Sequence, residues 1–334
     1  MTGRAERPQR ILVTGVGSYW GGSVAQALES DPDVEAVIGV DTSEPTIPLE
    51  RTEFFRTDES FSTLGDVVAA TDVDTVVHAA LAVDSTRMAD QRLHENNVIG
   101  TLNLLAALSQ DGSSVGGVVV KSSALVYGAG PRDPYFFDED ARRSTRPRTR
   151  IERTLLEVES QLRDFVEERP EVRVAVLRFG DVVGNRGHTP LGRALTLPAV
   201  PQILGFDPLL QFVEQTDVVR ALLFATGRRL SGAFNVAADG RLPWSELITL
   251  AGRVPMFLPP LFTGVALGPL AQAHVLDLPL EVRQVLRYGR GLDNRRLKAA
   301  GYTYRYTTSE AVLAQSQVRR KSSRRSPHSS EVRA

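Results

Sequence analysis

An α/β fold built on a doubly wound parallel sheet is predicted by three features of this 334-residue chain. Short β-branched apolar runs recur at Ile11–Val13, Val37–Val40, Val73–His78 and Val118–Val120, each reading as a strand buried on both faces. Between them lie stretches with apolar residues at helical spacing, such as Val24, Ala27 and Leu28, or Leu104, Leu105 and Leu108. The first strand also runs straight into a glycine-rich turn that opens a helix, the start of an alternating strand–helix order.

That turn, Thr14 to Gly22, is the first candidate site. A helix start offers unpaired N–H groups and the positive end of its dipole, and glycine lets a pyrophosphate approach the backbone. Gly15, Gly17 and Gly21 give Gly-x-Gly-x-x-x-Gly rather than the usual Gly-x-Gly-x-x-Gly. The next strand ends in Asp41, about 20 residues on, where an acid accepts hydrogen bonds from an adenosine ribose and repels a 2′-phosphate. A turn cap is the other reading of Asp41, and its strand-end position favours the ribose. The cofactor so predicted is NAD in preference to NADP.

Further along, Phe54-Phe55 leads to a second acid, Asp58, and the strand through His78 runs into the small residues Ala79 and Ala80. A helix is expected from about Arg92 to Leu108, carrying Asn96 and Asn97, and a strand over Val118–Val120 leads into Lys121-Ser122-Ser123. Composition narrows the rest. With no cysteine there is no disulfide framework, thiolate zinc site or cysteine nucleophile. A net charge of −1 argues against a general nucleic-acid binder. Residues 1–10 lead into no signal-peptide core, and no apolar run reaches membrane-spanning length, so a cytoplasmic protein without a transmembrane segment is expected.

Thr14-Gly15-x-Gly17, Asp41, Asp58, His78-Ala79-Ala80, Asn97-Val98-x-Gly100-Thr101 and Ser122-Ser123-Ala124-Leu125-Val126-Tyr127-Gly128 stand in one order at fitting distances. Later come Leu177-Arg178-Phe179-Gly180-Asp181-Val182-Val183-Gly184, Gln211-Phe212-Val213 before Asp217, Phe234-Asn235-Val236-Ala237, and Asp293 leading into Arg296-Leu297. The chain thereby resembles the extended short-chain dehydrogenase/reductases, in their NAD-dependent epimerase/dehydratase branch, over roughly residues 10–315. The resemblance implies a Rossmann-type domain over residues 11–183, to which 212–238 return, and a small discontinuous substrate domain from 184–211 and 239–315. It places Thr14, Gly15, Gly17, Ser18, Tyr19, Trp20 and Gly21 at the pyrophosphate and Asp41 at the ribose. Asp58 would face the adenine, Ala79, Ala80 and Ser122 would border the cofactor, and Asn97 would hold a mostly structural helix position. Ser123 would hydrogen-bond the reacting oxygen. Ser18 stands where the branch usually has its middle glycine.

One departure concerns chemistry. The branch uses Tyr-x-x-x-Lys, tyrosine as acid/base and lysine to lower its pKa, and no tyrosine here has a lysine four residues on. Alignment puts Ile151 in the tyrosine slot and Leu155 in the lysine slot. Losing general acid/base catalysis costs about 10²–10⁴ in rate, while cofactor contacts are untouched. Lys121 and Tyr127 are the stand-in candidates. Lys121 shares a strand face with Ser123 by period-2 alternation and, partly buried, can act as a base; the plainer reading is a lysine snorkelling to solvent or pairing with a carboxylate. Tyr127 matches a tyrosine that usually lines the pocket, so packing is its plainer reading.

Two function classes stay open: an enzyme transferring hydride on a nucleotide sugar or related substrate, and a catalytically degenerate NAD-binding sensor or scaffold. Arg142, Arg143, Arg146, Arg148, Arg150 and Arg153 crowd the start of the helix that carries the missing pair, so they suit a phosphate or carboxylate on a small-molecule substrate, or else pair with Asp138, Glu139 and Asp140. His188 has no metal-ligand partners at useful spacing. Val254 to Leu270 reads as a buried or groove-lining helical segment interrupted by prolines, with peripheral membrane contact as the lesser alternative. Residues 316–334 read as a disordered basic tail. The resemblance further implies a homodimer through helices near Arg92–Leu108 and Ile151–Phe165.

Overall fold

The computed structural model describes residues 9–187, 189–260 and 278–324, the last six by backbone alone. A seven-stranded, all-parallel sheet organises it. In chain order its strands are β1 (Gln9–Thr14), β2 (Val34–Asp41), β3 (Thr52–Arg56), β4 (Thr75–His78) and β5 (Gly117–Ser123); after the short β6 (Phe136–Phe137) come β7 (Arg173–Phe179) and, much later, β12 (Gly232–Val236). The spatial order β12-β7-β5-β4-β1-β2-β3 reverses direction beside β1, the crevice where ligands bind in open parallel sheets.

Period-2 alternation divides the strand side chains between two helical layers. Ile11, Val13, Val77, Val119 and Leu177 face Val24 and Leu28 of α1 (Tyr19–Leu28) and Val218, Leu222 and Ala225 of α7 (Gln215–Gly227). Leu12, Val76, Val118, Val120 and Val174 face the other layer: α2 (Phe61–Thr71), α4 (Gly100–Leu108) and α5 (Arg150–Glu168). Both faces are therefore apolar, which is why these strands read as continuous β-branched runs. A capping box starts α5: Thr149 accepts from Glu152 N, and the Glu152 carboxylate accepts from Thr149 N.

The helix expected near Arg92–Leu108 is one continuous rod with a flaw in it. α3 (Asp90–His94) passes through a π-helical turn, Glu95–Ile99, into α4. The wider turn aims two successive asparagines at the loop after β4. Asn96 donates to Ala80 O, while Asn97 accepts from Ala82 N and donates to Ala82 O.

A smaller lobe draws on the chain between and after these elements. It holds β8 (Asp181–Val183), α6 (Pro190–Ala194), β9 (Ala199–Ile203), β10 (Leu209–Leu210), β11 (Phe212–Glu214), β13 (Leu242–Pro243), α8 (Trp244–Leu250), β14 (Val254–Leu258) and α9 (Leu280–Tyr288). α11 (Thr308–Arg324) completes it, whereas β15 (Gly291–Leu292) pairs with β6 and α10 (Arg295–Ala299) sends Leu297 into the core of the main sheet, so that part of the expected 239–315 segment packs on the large domain instead. Leu191, Ile203, Phe212, Trp244, Leu247, Val285 and Val312 form its core.

Two expectations need correction. The start of the Val254–Leu270 stretch is a strand, β14, paired in parallel with β9, because Val254, Met256 and Leu258 alternate across a ribbon that Pro259 then ends; residues 261–277 lie outside the described residues. The tail expected from residue 316 is helical to Arg324, since Ala311, Val312 and Gln315 bury one face of α11 against the small lobe and the helix continues from that anchor. Residues 1–8, 188 and 325–334, with His188 among them, lie outside the described residues. No described helix is long and apolar enough to cross a membrane.

Candidate functional site

A cleft of about 380 Å³ opens at the C-terminal ends of β1, β2, β4, β5 and β7. Gly15 begins its floor at φ +74, and a Cβ there would lie 2.6 Å from Ala80 Cα, so the first turn and the loop after β4 touch backbone to backbone. A Cβ on Gly21 would overlap the Gly15 carbonyl, so α1 can close on the turn only with glycine in that place. Ser18 caps α1, accepting from Gly21 N and donating to Gly15 O. The hydroxyl thus holds the turn at the place where the usual pattern has a glycine. Within the helix the first-turn N–H groups of Tyr19 and Trp20 have no acceptor.

Asp41 lies at the end of β2, on the cleft wall. Its Oδ2 accepts from Gly17 N at 2.9 Å and its Oδ1 from Ser43 N at 2.9 Å. A Cβ on Gly17 would displace the Ser43 hydroxyl and press on the Asp41 carboxyl. Beside it is a carboxylate that sequence reasoning missed. Glu59, at φ 58, lines the cleft, and burial followed by the Asp41 charge raises its pKa. Asp58, expected at the adenine, is fully exposed and turned outward, accepting from Ser60 N and Thr63 Oγ1 at the start of α2. The signal for Glu59 was only its adjacency to Asp58.

At the far end, Ala79, Ala80, Lys121, Ser122, Ser123 and Gly180 line the cleft. Lys121 is 3% exposed, and its Nζ lies 5.4 Å from the centroid of the Trp20 ring. Among the described residues it has no hydrogen bond or carboxylate partner, and burial pushes its pKa down to about 8. The snorkelling reading of this residue therefore fails. His78 behind it is buried, and burial and then the Lys121 charge hold its pKa at about 4. Thr101 donates to Asn97 O, leaving its oxygen to accept from His78 Nε2; Nδ1 then accepts from Thr14 Oγ1 at 2.7 Å. His78 and Thr14 are thus neutral packing behind the strand ends. Ser123 caps the 3₁₀ turn Ala124–Tyr127 through Leu125 N and faces both this cleft and a side pocket.

Several expected residues act elsewhere. Tyr127 lines neither space; it donates to Asn235 Oδ1 and accepts from Arg178, each at 2.7 Å. Its phenol, expected as a stand-in acid/base, is thus engaged away from the cleft, and burial pushes its pKa up to about 12. Ser122 borders the cleft, yet its hydroxyl donates to Glu159 on the α5 side. Tyr19 packs edge-on against Trp20 and beneath Arg186, away from the cleft. Asn97 is a scaffold residue, as described above. Ile151 and Leu155, in the slots of the missing pair, are wholly buried among Leu93, Tyr127 and Phe137.

Of the crowded arginines, Arg143 turns inward to Glu152 at 2.9 Å, while Arg148, Arg150 and Arg153 border an open groove with Arg193 on the second lobe. The side pocket at Ser123 contains charges that the sequence did not single out. Asp181, its pKa raised by burial, accepts from Thr189 at 3.0 Å and lies 3.4 Å from Arg290. Glu281 joins them, its pKa also raised by burial, and accepts from Ser85.

Comparison with known proteins follows the same outline. The family model described as the NAD dependent epimerase/dehydratase family matches residues 11–237. An uncharacterized protein of Mycobacterium tuberculosis is 37% identical over 312 residues, covering 91% of this chain and 82% of its own. A UDP-glucose 4-epimerase of Erwinia amylovora is 30% identical over 193 residues, 54% of this chain and 56% of its own. In structure, a UDP-glucose 4-epimerase from Stenotrophomonas maltophila, solved with bound NAD and formylated UDP-arabinopyranose, superposes with a TM-score of 0.72. It is 21% identical and covers 95% of this chain and 100% of its own, a likeness of fold.

Proposed function

The chain belongs to the NAD dependent epimerase/dehydratase family, and from that membership we propose that it binds NAD in the cleft and transfers hydride to and from a nucleotide sugar. The observation that carries this reading is the cradle itself: Gly15 and Gly21, where a Cβ would strike backbone, a capped α1 N-terminus, and Asp41 with Glu59 at one end. Gly15, Gly17 and Ser18 would hold the pyrophosphate, and Asp41 would accept from the adenosine ribose. When bound, the nicotinamide supplies the hydride chemistry. Because a dinucleotide laid from Asp41 across Gly15 extends toward β5, its reactive end would meet Lys121 and Ser123. Ser123 would donate to the reacting oxygen, and the side pocket of Asp181, Arg290 and Glu281 would receive the sugar.

Calorimetric titration with NAD, NADH and NADPH tests this. We expect NAD and NADH to bind and NADPH to bind at least tenfold more weakly, because two carboxylates face the place of its 2′-phosphate. Replacing both, as Asp41→Asn with Glu59→Gln, is expected to raise NADPH affinity about tenfold. No dinucleotide binding at all would end the reading.

A second reading, a protein that binds NAD without turnover, is favoured by one observation: Ile151 and Leu155 fill the catalytic slots with packed core. Absence of any change in the absorbance of bound cofactor across a panel of nucleotide sugars would support it. A homodimer through α4 and α5 would cover Ile99, Leu102 and Val166, which are 42%, 49% and 39% exposed. Light scattering is expected to report a dimer that Leu102→Asp dissociates; a monomeric parent would refute this.

A further inference from the structure

Lys121 presents an unusual combination. It is a buried amine, unpaired among the described residues, that lines the cofactor cleft and reaches it from the sheet rather than from α5. The groups around it supply no counter-charge. On β4, His78 is neutral and committed to Thr14 and Thr101. On α1, Trp20 offers only its ring face, and Tyr19 has its phenol pKa raised, chiefly by burial. On β7, the residue in register is Leu177, and on its own strand the near neighbour is Ser123. The acids of the cleft stand elsewhere, Asp41 and Glu59 at the opposite end and Asp84 on the loop after β4, held by Arg193.

An oxidised nicotinamide ring carries one positive charge and a reduced ring carries none. Two cations side by side, with no carboxylate paired to the amine among the described residues, oppose one another. Resting on the reading of this cleft as an NAD site, we propose that Lys121 and the nicotinamide share a single positive charge, the amine being neutral beside the oxidised ring and protonated beside the reduced one. The step balances. A bound NAD would supply the hydride acceptor, so that the substrate C–H bond would break with its hydrogen and both electrons leaving for the ring. The O–H bond breaks, Lys121 Nζ takes that proton, and the carbonyl double bond forms. Ring and amine exchange one charge, so the pocket holds the same total before and after. A carbonyl substrate reverses each movement. Lys121 thereby takes the proton-accepting task left open by Ile151, from the opposite face of the sheet.

The test is proton release on binding, measured by calorimetry in buffers of different ionisation enthalpy near pH 7.5. NAD is expected to displace most of one proton per site and NADH almost none, because an amine titrating at about 8 is still largely protonated there. Lys121→Met should abolish the difference. Lys121→Arg, a cation that cannot deprotonate, should weaken NAD about tenfold or more relative to NADH. Equal proton release by the two cofactors, or a difference persisting in Lys121→Met, would overturn the proposal while leaving the NAD site standing. Failure of either cofactor to bind would overturn both. If Lys121→Met does not fold, the comparison of NAD with NADH on the unaltered protein decides alone.

Discussion

Arg178→Met is expected to lower the stability of the protein by about 3–5 kcal/mol, the usual cost of removing one partner from a buried ion pair. Arg178 is the centre of a polar network enclosed by apolar layers. Its Nη2 lies 2.6 Å from Glu159 Oε2 and its Nε 3.0 Å from Oε1, a two-pronged pairing between side chains 13% and 6% exposed. Its Nη1 donates to Tyr127 at 2.7 Å and to the Glu139 carbonyl at 2.9 Å. Methionine matches the stem but supplies none of the donors, so Glu159 would be left charged with only Ser122 to solvate it. Urea unfolding at neutral pH measures the loss. The double variant with Glu159→Leu is expected to recover part of it, since the stranded charge goes too. A single variant within about 1 kcal/mol of the parent would show that water reaches Glu159. The same network joins Ser122, Tyr127 and Asn235 across β5, β7 and β12, so the strand ends that carry Ser123 and Gly180 depend on it.

Much of this was legible in the sequence because it rests on local rules. β-branched runs gave the sheet, and glycines at one turn gave the cradle. An acid at a strand end gave Asp41. What was not legible depends on which way a side chain turns. Asp58 and Glu59 are adjacent acids, yet Glu59, at a positive φ, lines the cleft while Asp58 accepts from Ser60 and Thr63 at the start of α2. Tyr127 has a phenol like any other until Arg178 and Asn235, each more than fifty residues away, engage it. Arg178 itself gave a faint signal, a charge inside the apolar strand Val174–Phe179, which in a buried strand implies a buried counter-charge. The charges of the side pocket come from segments brought together only by the fold: Asp181 after β7, Glu281 on α9 and Arg290 before β15.

Restoring the family pair, as Ile151→Tyr with Leu155→Lys, is expected to destabilise the protein and not to create activity. Both positions are 0% exposed, packed against Leu93, Tyr127 and Phe137. A tyrosine at 151 overfills that core, at a cost of about 1–3 kcal/mol. A lysine at 155 fares worse. The carboxylates within a turn of it, Glu152 and Glu159, are already committed to Arg143 and Arg178, so an amine entering neutral gives up a proton held with a pKa of ~10.4, which costs about 4–5 kcal/mol at pH 7. The apolar burial of Leu155 is lost in addition, roughly 2 kcal/mol. Lys121 shows what a tolerated lysine requires here, since its amine borders a cleft of about 380 Å³ rather than closed core. Urea unfolding of the double variant, alongside cofactor reduction by UDP-sugars, measures both halves. A variant as stable as the parent that also reduces bound NAD faster would mean that α5 opens onto the cleft, and Lys121 would then be a secondary group. The loss of stability without gain of rate is the expected outcome, because both positions lie in closed core and neither lines the cleft.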